Sequence, residues 1–158
     1  MTRRPILLAS ILLLFCAGLL TGRPQQEEPD GKRLIDIKAG VMYPIKISDS
    51  TAICLTGDVV FYHNGAVISC DSAVRYSDKR MECFRNVIIN KDSTYIYGDR
   101  ADYNGEINMA TVYSPLIKIM DGDAVMYTYE FQFNTLDNIG HFAGGGVLYQ
   151  GDNVMEAE

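Results

Sequence analysis

The side chains able to do chemistry in this 158-residue sequence are two histidines, four cysteines and a few recurring aspartates. His63 stands beside a turn and His141 in a strand-like run, with no Ser, Cys or ligand cluster at a spacing that makes a nucleophile and base pair. Cys16, Cys54, Cys70 and Cys83 form no Cys-x-x-Cys pair and no Cys/His set of zinc spacing, so no metal site is expected. Asp121 and Asp123 flank Gly122, which is hairpin chemistry before it is acid–base chemistry or calcium binding. Gly144-Gly145-Gly146 lies between strand-like runs and opens no helix, so it reads as a bulge or tight bend rather than a phosphate loop. Asp71 and Asp99 recur at equivalent corners, where capping of backbone N–H groups accounts for them better than catalysis. No catalytic residue, cofactor or enzymatic activity is expected.

Composition narrows the partners as well. Acidic residues outnumber basic ones 20 to 14, for a net charge of −6, and no basic block exists outside the first few residues. Nucleic-acid binding and docking on an anionic membrane both need a positive footprint that this pattern does not supply. Thr2-Arg3-Arg4 precedes an uncharged apolar run, Pro5 to Leu20, that is shorter than the roughly 20 residues of a spanning helix. Residues 1–22 therefore read as a Sec signal peptide, whose removal takes away Arg3 and Arg4 and leaves a charge of −8. Phe15 stands where a lipoprotein would need a small residue before Cys16, and an uncleaved anchor is the alternative. Residues 23–32 (RPQQEEPDGK) read as a linker. Cys54, Cys70 and Cys83 remain after processing, as small buried strand residues or with one disulfide among them.

The elements that carry these residues are strands. From residue 60 onward, turn signals such as Asn64-Gly65, Lys91-Asp92-Ser93, Asn104-Gly105 and Asp121-Gly122 recur about every 14 residues between runs of Val, Ile, Phe, Tyr and Met. Each interval holds two short strands or one bent strand, and doubling it gives a repeat of about 28 residues. Gly57-Asp58-Val59-Val60-Phe61 overlays Arg85-Asn86-Val87-Ile88-Ile89, then Tyr113-Ser114-Pro115-Leu116-Ile117, then Gly145-Gly146-Val147-Leu148-Tyr149. A second frame, Ile68 to Ala73, overlays Ile96 to Ala101 and then Met126 to Phe131, and a third column runs through Met81, Met109 and Ile139. Such repeats mean stacked rungs, each burying its apolar face against its neighbours. Strand alternation places Val59, Phe61, Ile68, Val87, Ile89, Ile96, Ile117, Met126 and Val147 inside, with a Tyr-rich, acidic face outside.

These residues resemble a known family. Gly57-Asp58-Val59-Val60-Phe61 with Cys70-Asp71-Ser72-Ala73, and Arg85-Asn86-Val87-Ile88-Ile89-Asn90 with Tyr97-Gly98-Asp99, are similar to the rungs of the organic-solvent-tolerance (OstA) N-terminal domain. That domain is shared with the periplasmic A and C proteins of lipopolysaccharide transport (LptA and LptC), and this version is most similar to the Bacteroidetes form. The resemblance covers roughly residues 33–155, within an expected domain of 33–158. It implies an all-β, V-shaped β-jellyroll whose interior cradles lipid A acyl chains. It also implies a periplasmic location, at or near the inner or outer membrane, and domains joined end to end into a bridge between the two. Arg85 and Tyr113 depart from the family's usual Gly, and Pro115 from its usual Val.

On this reading the nine inward residues line a lipid groove, and the partners are lipopolysaccharide, homologous jellyroll domains and further copies of the chain. Each terminal strand of a stack has unpaired N–H and C=O groups that must be covered or used. Leu34, Ile35 and Ile37 belong to the first such edge, and Val154 and Met155 to the last. The alternative is a structural or scaffolding β-solenoid of the cell envelope with a closed core and no lipid ligand. A continuous opening along the inward columns would favour the first reading and a solid core the second.

Overall fold

The computed structural model describes residues 34–157, so the expected signal peptide, the linker and Arg33 lie outside the described residues. Ten strands follow one another: β1 (Asp36–Lys38), β2 (Val41–Ile47), β3 (Ser50–His63), β4 (Ala66–Arg75), β5 (Arg80–Lys91), β6 (Thr94–Asn104), β7 (Met109–Asp121), β8 (Ala124–Asn134), β9 (Ile139–Gln150) and β10 (Asn153–Ala157). All pairings are antiparallel, and from β3 to β10 each strand pairs with the next in sequence. β1 and β2 both pair with β3, along its later and earlier halves, and together form the first edge of the sheet. That β2 belongs to this edge was not visible in the repeat, which begins after it.

The hairpins follow from turn chemistry. Asn64 and Gly65 both have positive φ, the combination a two-residue turn between twisted strands requires. The strands are long because each is bent once. Register shifts interrupt every pair from β3/β4 to β8/β9 near mid-strand, and they fold the sheet over on itself. One arm of the resulting V carries the turns at 48–49, 76–79, 105–108 and 135–138; the other carries those at 64–65, 92–93, 122–123 and 151–152.

In three of the odd strands the bulge is a pair of residues with positive φ: Gly57-Asp58, Arg85-Asn86 and Gly144-Gly145. β7 differs. Proline fixes φ near −65°, so Pro115 cannot take that conformation, and the shift there runs from Tyr113 to Ile117, spanning three residues instead of two. An odd number of extra residues turns every later side chain to the other face. Asp71 and Asp99 sit in the bulges of β4 and β6. They do not cap backbone N–H groups: Asp71 accepts from Asn86 Nδ2 (3.0 Å) and Asp99 from Ser114 Oγ (2.7 Å). Each aspartate ties its bulge to the one beside it.

A single apolar core fills the space between the arms. Leu55, Ala73, Cys83, Ala101, Val112 and Phe131 come from one arm, and Val59, Phe61, Ile68, Val87, Ile89 and Ile96 are among those from the other. The outer faces are unlike one another. One cross-strand row of the first arm carries Glu82, Asp102, Thr111, Gln132 and His141. A row of the second carries Tyr62, Val67, Asn90, Tyr95, Met120, Val125, Tyr149 and Val154. The expected Tyr-rich face therefore lies mainly on the second arm, while Tyr43 and Tyr113 are exposed on the first.

Candidate functional site

Cross-strand partners share a face of the sheet, so the register alone identifies the most continuous feature of the interior. Ile37, Phe61, Ile68, Ile89, Ile96, Ile119, Met126, Leu148 and Met155 are consecutive partners across β1 and β3 to β10. At about 4.8 Å between strands this apolar row is about 38 Å long. Its middle is sealed, and Val59, Phe61, Ile68, Val87, Ile89, Ile96 and Ile117 are at most 2% exposed. Toward β10 the cover thins: Met126 is only partly buried, Phe142 of the facing arm is 43% exposed and Met155 is 55% exposed.

Eight of the nine residues expected inside therefore face the interior, seven as tightly packed core and Met126 at the thinly covered end. Val147 does not. It stands opposite Tyr127, one residue off the inward row, and Leu148 opposite Met126 takes its place. The cause is the unequal pair of bulges, three residues in β7 against two in β9, which an even-numbered sequence overlay misses. Pro115 is likewise exposed, with Ile117 and Ile119 the inward pair of β7. The third repeat column also splits. Met81 is buried, whereas Met109 and Ile139 share a row with Arg80. Five residues separate the partners Arg75 and Met81, but four separate Asn104 from Met109 and Asn134 from Ile139.

At the edges, Leu34 precedes β1 and is exposed, while Ile35 and Ile37 pack against the core. Val154 and Met155 lie on β10, the opposite edge, and both are exposed.

The mouth of the V is closed by polar side chains. His63 Nδ1 lies 2.6 Å from the Tyr103 hydroxyl, which is 3.3 Å from Thr135 Oγ1, which donates to the carbonyl of Asn108 (3.1 Å). Asn64 Nδ2 donates to Asn108 Oδ1 (2.5 Å), and Thr94 Oγ1 donates to Asn138 Oδ1 (3.5 Å). Burial pushes the Tyr103 phenol above its ordinary value, and the bond to Thr135 offsets part of that.

A family model for OstA-like proteins matches residues 33–158, the whole of the region just described. The chain belongs to the OstA-like family. Among solved structures, the OstA-like chain is similar to LptH of Pseudomonas aeruginosa, described as the LptA-homologous periplasmic component of the lipopolysaccharide transport device. The TM-score is 0.60 at 11% identity, over 78% of this chain and 94% of that one. The fold is thus an LptA-like β-jellyroll. No curated protein sequence matches the OstA-like chain.

The remaining chemistry-bearing residues of the OstA-like chain serve its structure. Gly144 and Gly145 form the bulge of β9, and Thr128 Oγ1 donates to the Gly145 carbonyl (2.8 Å). Asp121 accepts from Ser93 Oγ at 2.5 Å, joining two neighbouring turns. Cys54, Cys70 and Cys83 are free thiols, the last two buried. A hydrogen bond between Cys70 and Cys83 lowers the first thiol's pKa, and that bond, with burial, pushes the second well up.

Proposed function

We propose that this OstA-like chain is a non-enzymatic lipopolysaccharide carrier of the periplasm that shields lipid A acyl chains between its arms. The observation that carries this reading is the unbroken apolar row from Ile37 to Met155, which crosses nine strands without a polar side chain and emerges at β10. Support also comes from the LptA-like fold, from the periplasmic transport role stated for LptH, and from the export signal read at residues 1–22. Burying one CH2 is worth about 0.8 kcal/mol, so an acyl chain of about ten methylenes gains on the order of 8 kcal/mol over water. Along a uniform apolar row, movement from one strand to the next is nearly isoenergetic, and an outside energy source sets direction.

The row leads to both edges of the sheet. Pairing of β10 with the β1/β2 edge of a homologous domain or another copy would extend sheet and row together, as a bridge between membranes requires. Val154→Lys on the exposed edge weakens that pairing without unfolding the domain.

The sealed middle favours a second reading, a scaffolding β-solenoid whose core takes no ligand. Displacement of a fluorescent acyl probe from the purified protein separates the two. Lipopolysaccharide competes and its delipidated core oligosaccharide does not if the arms hold acyl chains, whereas a scaffold binds no probe.

A further inference from the structure

Apart from Thr128 near the bend, the interior is apolar except at its mouth. Among the described residues the buried polar side chains are His63, Thr94, Thr128 and Thr135, and all but Thr128 stand at the tips of the arms. Side-chain hydrogen bonds cross from one arm to the other at His63 to Tyr103, Asn64 to Asn108 and Thr94 to Asn138. The backbone bonds of the facing turns, Gly105 N to Lys79 O and Thr135 N to Asn108 O, stay within the first arm. Parting the tips therefore leaves those backbone bonds intact and exchanges side-chain partners that water or a hydroxyl can replace. Ile35, beside Gly105 and His63, adds an apolar contact that opening would also break.

A ligand held between the arms sets a matching requirement. Ile89 and Ile96 are fully packed in the closed form, so acyl chains could lie beside them only once the arms part, and a sugar-phosphate head cannot be buried there without hydrogen-bond partners and must project outward. The mouth is the one long side of the V that is not a continuous backbone ladder, and its groups are amides, hydroxyls and an imidazole that suit a polyhydroxylated head.

We propose that the mouth is a gate, with His63–Tyr103, Asn64–Asn108 and Thr94–Asn138 as its latch and the mid-strand bulges as its hinge. It opens to admit an acylated ligand sideways, and the latch residues then bond the ligand's polar head. This rests on the carrier reading above.

The test links the arms reversibly. Asn64→Cys/Asn108→Cys, in a Cys54→Ser background, is joined by a short bis-methanethiosulfonate and assayed for lipopolysaccharide capture with and without reductant. The linked form is expected to capture about tenfold less or worse, with recovery on reduction, since only the open fraction binds. Equal capture by linked and reduced protein overturns the gate while leaving the carrier reading intact. Failure of the wild-type chain to capture lipopolysaccharide overturns the carrier reading, and the gate's ligand role with it. Thiol labelling and hydrogen exchange on Tyr103→Phe decide the hinge independently of any ligand. Faster labelling of the buried Cys83 thiol, with the Gly105 and Thr135 amides still protected, supports it; unchanged labelling or uniform acceleration of amide exchange contradicts it.

Discussion

Gly98 and Val112 meet at the bend of the sheet so closely that a Cβ on Gly98 would lie 2.4 Å from Val112 Cγ1. Gly98 pairs with Val87 of β5 but lies just beyond the last second-arm partner of β6 with β7, and Val112 reaches it from the first arm, so this contact sets how sharply the sheet folds. Gly98→Ala should destabilise the domain by about 1–3 kcal/mol through overpacking. Val112→Ala in the same molecule should recover part of that loss, because it removes the clashing methyl groups. Urea unfolding of the two single variants and the double variant gives the coupling directly. Additive losses would mean that the contact is not what limits the bend.

The bulge of β5 contains a strained residue. Arg85 has φ of +61° where β3 and β9 place Gly57 and Gly144. A left-handed conformation costs a side-chain-bearing residue about 1–2 kcal/mol, part of which glycine's greater freedom in the unfolded chain cancels. Arg85→Gly should therefore stabilise the protein by about 0.5–1 kcal/mol, seen as a rise in the urea midpoint at constant slope. A loss would show that the arginine has a compensating role.

Much of this architecture is written plainly in the sequence, and the misplaced faces have one physical source. The Val59, Val87 and Ile117 positions, the Asn64-Gly65 turn and the Gly144-Gly145 bulge are local features with period-2 or turn signatures. Faces beyond an irregularity depend on how many residues it absorbs. Pro115 was visible as a departure, and its fixed φ is the signal from which a three-residue bulge, and hence Leu148 in place of Val147, could have been inferred. The latch was beyond reach. His63 and Tyr103 are 40 residues apart and meet only because the arms fold together.

Tyr103 also makes the latch sensitive to alkali. Its phenol is held above the ordinary value of 10.0 mainly by burial. A raised pKa means that the folded state favours the protonated form, so this stabilisation is complete below pH 10 and drains as pH rises through the folded value. Tyr103→Phe should cost about 1–3 kcal/mol near neutrality by removing the buried hydroxyl that bonds both His63 Nδ1 and Thr135 Oγ1. The gap from wild type should narrow above pH 10. A gap constant with pH would mean that the hydroxyl contributes through shape alone.

The central claim is that lipid lies on the inward side of the sheet, and neighbouring residues on one strand test it most directly. A photo-crosslinking amino acid is placed in cells at Ile89 or Leu148, which face inward, and at Ile88 or Val147, the adjacent outward positions. Lipopolysaccharide adducts at Ile89 and Leu148, with none at Ile88 and Val147, are the expected result. Adducts at neither pair, or equally at both, would contradict the claim that acyl chains travel between the arms.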